Sequence, residues 1–347
     1  MKKITTLLCA AVALACIGGC SDSKDNKAQA QNSASSAPKT TVVKYSVVFG
    51  SSGTQADGAN ALGALIKEHS KGSLNMQFYP SGQLGDKVAA YEGLQNGTIE
   101  MTECAVTDLS AFNSMWSVFS LPYMWESGEQ AIKTLTDPEV MAVLSADAEA
   151  NGFKIIAWTD LGSRSFVNTK RPINTPADLK GLKIRCMEDA VLADSINAMG
   201  AIATPLPFSE VYTGMQQGTL DGADYQIPNV LAAAWQEICP YMSLSEHFTI
   251  PDVVFVSKVW FDGLSKADQE AIVKAGNDFT NKWNNEIWPN AIEVSTEKLE
   301  KTGMKINEVN KEPFMQAVSP VVEKFLANAT EEQKKLYELL DNTKKKY

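Results

Sequence analysis

The residue in this 347-residue chain best equipped for chemistry is an arginine at the end of a strand. Leu182-Lys183-Ile184-Arg185-Cys186 alternates as a strand should, and Gly181 before it marks a tight turn. If that strand is covered, Arg185 carries a guanidinium that cannot be neutralised, and something anionic must meet it. Two N–H groups in a fixed fork match the two oxygens of a carboxylate or sulfonate, and charge-assisted pairs are about twice as strong as neutral ones. The competing partner is an internal acid such as Glu188. Arg164 offers a second guanidinium, for which internal pairing weighs more heavily, and Arg171 beside Pro172 reads as a surface residue.

The elements that must position Arg185 follow it directly. Ala190 to Met199 has helical spacing of apolar residues, with Gly200 as its stop; Pro205 and Pro207 break the chain. Ser209 is placed to cap the next helix, with Glu210 in its first turn and Gly218 at its end. Strand and helix alternate as in an open sheet, whose ligands sit beyond the carboxyl ends of the strands. Part of this stretch occurs twice. Tyr91 to Met101 (YEGLQNGTIEM) and Tyr212 to Gly222 (YTGMQQGTLDG) share five of eleven positions. Two lobes built on one plan, or a common helix exit used twice, would both produce this.

Upstream, Lys44 to Phe49 reads as a strand running into Gly50-Ser51-Ser52-Gly53-Thr54, with a helix from about Asp57. Backbone N–H groups and the hydroxyls of Ser51 and Ser52 are candidates for holding an anion, although the turn has neither nucleotide-binding glycine pattern. Trp116 to Trp125 is an apolar, aromatic segment expected in the core. Ser265 and Asp268 mark a helix start, and apolar residues from Ile272 to Ile287 repeat at three or four. Continued to about Thr302, this is a helix of roughly 50 Å, kinked by Pro289, or else two separate helices. Glu312 to Lys346 is helical, with a solvated lysine end.

Enzymatic and metal chemistry find little here. There is no Gly-x-Ser-x-Gly and no His-Glu-x-x-His, and His69 and His247 are the only histidines. No metal site or cofactor is expected; His69 reads as a helix-end residue. The runner-up function is an exported hydrolase assembled from distant residues.

Lys2 and Lys3 precede an apolar run from Ile4 to Ile17, shorter than the about 20 residues of a membrane span, which reads as a signal-peptide core. Ile17-Gly18-Gly19-Cys20 resembles the lipobox of bacterial lipoproteins, so Cys20 is expected to be the lipid-bearing first residue. Residues 21–41 form a polar tether of roughly 25 Å reach. The formal charge of −10 becomes −12 once the signal segment is removed, which argues against a nucleic-acid partner. Cys104, Cys186 and Cys239 allow at most one internal disulfide.

Six motifs in order resemble the solute-binding (DctP-like) subunit of tripartite ATP-independent periplasmic transporters. They are Tyr-Pro-Ser-Gly-Gln-Leu-Gly (79–85), Leu-Pro-Tyr (121–123), Arg164 with Asn168 to Ile173, Asp178 to Arg185, Pro207 to Tyr212, and Asp221-Gly222. The resemblance implies an α/β, two-lobed periplasmic-binding-protein-like fold with a hinge and a long kinked helix spanning both lobes. It implies lobe I over 42–161 plus 251–289 and lobe II over 162–250 plus 290–347, after a signal peptide (1–19) and a lipidated tether (20–41). A small organic anion would be captured between the lobes and passed to the small and large membrane subunits by a monomeric receptor, held outside the cytoplasm on a membrane by Cys20. Arg185 matches the carboxylate-pairing arginine, Arg164 a second ligand-directed arginine, and Phe208 an aromatic at the pocket wall. The chain departs from the family at Asp221-Gly222-Ala223-Asp224-Tyr225-Gln226. There Tyr225 stands where many members carry Asn, and Asp224 and Tyr225 join the candidate ligand-facing residues.

Overall fold

The computed structural model describes residues 40–347; the signal segment, Cys20 and nearly all of the tether lie outside the described residues. The chain begins with β1 (Thr41–Ser46), α1 (Thr54–His69), β2 (Leu74–Tyr79), α2 (Lys87–Asn96) and β3 (Met101–Ala105). It continues through α3 (Gly128–Leu135), α4 (Pro138–Ala150) and β4 (Phe153–Thr159). Next come β5 (Ser163–Asn168), β6 (Lys183–Cys186), α5 (Ala190–Ala198), β7 (Ile202–Pro205), α6 (Phe208–Gln216), β8 (Gly222–Tyr225), α7 (Ile227–Ala232) and β9 (Tyr241–Thr249). The last third holds β10 (Asp252–Ser257), α8 (Lys258–Asp262), α9 (Lys266–Lys282), α10 (Trp288–Lys301), β11 (Lys305–Glu308), α11 (Glu312–Asn328) and α12 (Glu331–Lys344).

These strands form two sheets, ordered β2-β1-β3-β10-β4 and β11-β9-β5-β8-β6-β7. Each is the heart of one lobe of an α/β, two-lobed fold. The chain crosses from the first sheet to the second between β4 and β5, and returns between β9 and β10, so two short crossings act together as a hinge.

The repeated sequence marks the same device in both sheets. Gly97 ends α2 at φ 76° and Gly218 follows α6 at φ 75°, a left-handed turn that glycine adopts without strain. The Gly93 carbonyl accepts from the N–H groups of Thr98 and Ile99, and the Gly214 carbonyl accepts from those of Thr219 and Leu220. A Cβ on Gly93 would lie 2.8 Å from Ile99, and one on Gly214 2.8 Å from Leu220, so both helix exits need the missing side chain. The following acid then caps a neighbouring strand: Glu100 accepts from Lys44 N at 2.7 Å and Asp221 from Lys183 N at 2.9 Å. β3 and β8 run parallel to β1 and β6 and antiparallel to β10 and β5 respectively, so the two lobes share one plan.

The expected long helix is continuous from Lys266 to Lys301, and its two α-helical halves meet at a π-helical turn, Trp283–Ile287, just before Pro289. Pro289 lacks the N–H that would bond back one turn, and widening the turn absorbs the loss. Two side chains of the turn also bond back along the helix: Asn284 Nδ2 donates to Thr280 O at 2.7 Å and Asn285 Nδ2 to Asn281 O at 2.9 Å. Asn284 also donates to Trp158 O and accepts from Asp160 N, tying the turn to the crossing between β4 and β5. α9 packs on α1 and β4 of the first lobe, whereas α10 packs on α7 of the second.

Some local expectations shift. α1 starts at Thr54 rather than Asp57, and α6 starts at Phe208 after Pro207 with no side-chain cap, so Ser209 does not cap it. Before Trp235 the helix α7 stops and a separate 3-10 turn follows, because Ala234 at φ 56° interrupts it. The tail divides at Thr330, whose capping box with Gln333 starts a new helix. α11 packs on the second lobe but α12 lies on α3 and α4 of the first, against the expectation that all of 290–347 belongs with lobe II. The lysine end is docked too: Lys344 Nζ donates to Met124 O at 3.0 Å and Lys346 pairs with Asp137 at 3.1 Å.

The lobes touch around the cleft. Ser120 Oγ donates to Asp189 at 2.9 Å, and Tyr123 reaches β9 with its N–H on His247 O and its hydroxyl on Ser245 O, each at 3.0 Å. At the opposite edge, a Cβ on Gly53 would lie 3.2 Å from Ala232 Cβ. The aromatic segment supplies the core beneath, with Trp116 and Phe119 fully buried. Cys104, Cys186 and Cys239 are buried free thiols.

Candidate functional site

β6 lies between β7 and β8, with Arg185 opposite Thr204 on one side and Ala223 on the other. Strand alternation sends Ile184 and Cys186 into the apolar core and leaves Arg185 on the face shared with Tyr225, two residues beyond Ala223. Arg185 is only 5% exposed, and its Nε donates to Leu206 O at 2.8 Å. The other four guanidinium N–H groups have no hydrogen-bond partner among the described residues, and neither Glu188 nor any other acid there forms an ion pair with Arg185. Burial, and then the neighbouring Arg164 charge, press its pKa below the ordinary arginine value. An arginine stays charged nonetheless, so a desolvated cation stands without its counter-charge, at a cost of several kcal/mol.

Arg164 is arranged differently. Its Nε donates to Asp224 Oδ2 at 2.6 Å, and Nη2 donates to Asp224 Oδ1 at 3.1 Å and to the Asp224 carbonyl at 2.7 Å. Both residues are buried, at 4% and 2% exposure. Burial alone would raise the Asp224 carboxyl, but the Arg164 charge and its hydrogen bonds, with His247, hold it well below the usual carboxylate range. Asp224 is therefore spent on Arg164, and the internal pairing weighed for this arginine is the one found. The pair orients Arg164 beneath Tyr225, whose ring lies 5.3 Å from the guanidinium carbon.

His247 completes the floor and had no signal in the sequence beyond being one of two histidines. β9 bulges between its pairings with Arg164 and Phe166, and this turns His247 inward. There it stacks on Phe166 at 4.2 Å, its Nδ1 meets Ser245 Oγ at 2.8 Å, and its Nε2 lies 3.6 Å from Asp224. Burial lowers its pKa, so the ring is neutral at pH 7.

Three aromatic rings form the adjoining wall. Tyr225 stacks on Trp235 at 4.8 Å, and Phe208 lies 5.5 Å from Tyr225 and 6.2 Å from Trp235. The Tyr225 phenol, pushed up to about 12 by burial, stays protonated and has no hydrogen-bond partner among the described residues. Ser51 and Ser52 are exposed in the loop after β1, without hydrogen bonds there, next to the Gly53 approach to α7. A charged fork, a neutral phenol and an aromatic wall make a site for binding an organic anion, while the serine–histidine contact beside it, Ser245 with His247, is sealed from solvent, both residues being 0% exposed.

Residues 45–329 match the family described as bacterial extracellular solute-binding protein, family 7 (DctP). The chain belongs to this family. Family 7 proteins are the solute receptors of tripartite ATP-independent periplasmic (TRAP) transporters, and they bind rather than catalyse. This receptor is 32% identical over 246 residues to the 2,3-diketo-L-gulonate-binding periplasmic protein YiaO of Escherichia coli, an alignment covering 70% of this chain and 75% of that one. A TRAP receptor from Sulfitobacter sp. NAS-14.1, solved with β-D-galacturonate, superposes at TM-score 0.81 with 30% identity, covering 87% of this chain and 100% of the other. One from Anaerococcus prevotii, solved with α/β D-glucuronate, gives TM-score 0.82 with 27% identity, covering 89% and 99%. Among the described residues of this family 7 receptor, no helix is long and apolar enough to cross a membrane.

Proposed function

We propose that this receptor captures a small sugar acid between its lobes, with the ligand carboxylate on Arg185, and delivers it to the small and large TRAP membrane subunits. The carrying observation is that Arg185 is buried with no acid paired to it, while Arg164 beside it is already neutralised by Asp224. Tyr225 and Phe208 give the ligand an apolar wall and one phenolic donor, and Arg164 acts on it as an oriented charge. The sugar acids named for YiaO and the solved neighbours support uronates and aldonates, set against the C4-dicarboxylates named for other relatives. The receptor works as a monomer outside the cytoplasm, tethered by a lipid on Cys20; the lipobox-like Ile17-Gly18-Gly19-Cys20 and the polar stretch after it support this reading.

A thermal-shift screen of sugar acids, dicarboxylates and sulfonates on the purified protein tests the ligand class. A ligand at a hundred times its dissociation constant adds about 2.7 kcal/mol, so D-glucuronate or D-galacturonate should raise Tm clearly. Stabilisation by dicarboxylates or sulfonates alone would overturn the sugar-acid reading.

A further inference from the structure

Across the cleft, the first sheet presents two acids that form no ion pair among the described residues, Glu103 on β3 and Asp252 at the start of β10. β10 runs antiparallel to β3 with Asp252 opposite Ala105 and Val254 opposite Glu103. The two carboxyls therefore leave the same face one diagonal step apart, within side-chain reach. Thr159 of β4 stands opposite Asp252 and joins them: its Oγ1 lies 2.9 Å from Glu103 Oε1 and 3.4 Å from the Asp252 carbonyl. The Tyr45 hydroxyl donates to Glu103 Oε2 at 2.5 Å.

Both Glu103 oxygens thus accept a hydrogen bond, which favours the carboxylate. The Asp252 carboxyl has no hydrogen-bond partner among the described residues although the residue is only 9% exposed. A carboxylate one diagonal step away, in a wall where Asp252 is buried and Glu103 half-buried, disfavours a second charge on Asp252. Burial pushes both acids upward, and Glu103 pushes Asp252 further. The surrounding groups do not reverse this. Lys87 of α2 is committed to Asp108 at 2.6 Å, Cys104 projects from the other face of β3, and Arg164 is held by Asp224. Asp252 begins β10 and pairs with Thr159 at the end of β4, so it stands at the edge of the first sheet where both crossings to the second lobe leave.

Resting on the sugar-acid reading above, we propose that Glu103 and Asp252 share one proton, carried by Asp252, and form a second ligand subsite for the hydroxyl or oxo oxygens of an acid whose carboxylate sits at Arg185. A neutral carboxyl donates to a sugar oxygen and accepts from a sugar hydroxyl, while Glu103, held by Tyr45 and Thr159, fixes the arrangement. With Arg185 on one lobe and Asp252 on the other, a hydroxylated acid contacts both walls and favours the closed form; a short acid without hydroxyls reaches only one.

Two measurements on the purified protein test this. Infrared spectroscopy at pH 7 should show a protonated-carboxyl band that is lost in Asp252→Asn, and a band unchanged by that substitution overturns the shared proton. Asp160, raised to about 6 by burial, also contributes to this region, so the loss is read as the difference between wild type and variant. Calorimetry with D-glucuronate and D-galacturonate should find Asp252→Asn, which keeps a neutral donor and acceptor, within threefold of wild type at pH 7. Asp252→Ala, checked for an unfolding transition like that of wild type, should bind at least tenfold more weakly. Equal affinity of Asp252→Ala and wild type, or a tenfold loss in a folded Asp252→Asn, overturns the subsite. If neither sugar acid binds the wild type, the ligand class and the subsite both fall, and the infrared band still decides the proton.

Discussion

Arg164 grips Asp224 through two side-chain contacts, Nε to Oδ2 at 2.6 Å and Nη2 to Oδ1 at 3.1 Å, and this pair is what leaves Arg185 the unmatched cation of the site. Two guanidiniums close enough to repel would otherwise compete for one anion. Neutralising one makes the other specific.

Breaking that pair should be costly. Asp224→Ala strands Arg164 as an uncompensated buried charge, so we expect a loss of about 3–5 kcal/mol in urea unfolding. The pH dependence has a definite sign. The native Asp224 carboxyl titrates below its unfolded value, so its stabilisation is complete above about pH 4 and is lost as pH falls. In Asp224→Asn that component of the acid destabilisation should be missing.

Arg185 should behave in the opposite way. Arg185→Ala is expected to weaken binding of the cognate sugar acid by about 2–5 kcal/mol, roughly 30-fold to a few thousand-fold, in calorimetry. Without ligand it should keep or gain stability, because an unpaired buried cation is removed. Arg185→Lys keeps the charge but loses the fork, and should fall between. A change of less than threefold in Arg185→Ala would take this residue out of the site.

Gly276 tests the packing of the long helix. Alanine is the better helix former by about 1 kcal/mol, yet a Cβ at Gly276 would lie 2.1 Å from the Ile156 carbonyl of β4. Backbone cannot rotate away as a side chain can. Gly276→Ala should therefore lower stability by about 1–3 kcal/mol in chemical denaturation, against the propensity.

Cys20 carries the tethering reading. In cells expressing Cys20→Ser, the protein should leave the membrane fraction for the soluble one and lose the mass of its acyl chains. Retention in the membrane fraction would show attachment by another route.

Much of this was legible in the chain because it is local. A strand with Arg185 at its end, the paired glycine exits at Gly97 and Gly218, and the start of α9 at Ser265 all follow from residue type and spacing over a few positions. The resemblance to TRAP receptors supplied the two-lobed α/β architecture, and the family match bears it out. Local signals failed where a distant surface decides. The charged tail is drawn onto the first lobe by Met124 and Asp137, far away in sequence, whereas Ser209 loses its cap for a local reason, the helix already starting at Phe208 after Pro207.

The sequence by itself determined that a permanent cation would stand in a covered strand, since no environment can neutralise a guanidinium. Which of two arginines would stand unpaired, and what would face it, belonged to the tertiary structure. Asp224 reaches Arg164 across 60 residues, His247 enters through a bulge, and Glu103 and Asp252 become neighbours only through the pairing of β3 with β10. Charge is a property of a residue, but its partner is a property of distance, and distances between remote parts of the chain exist only once both sheets have formed.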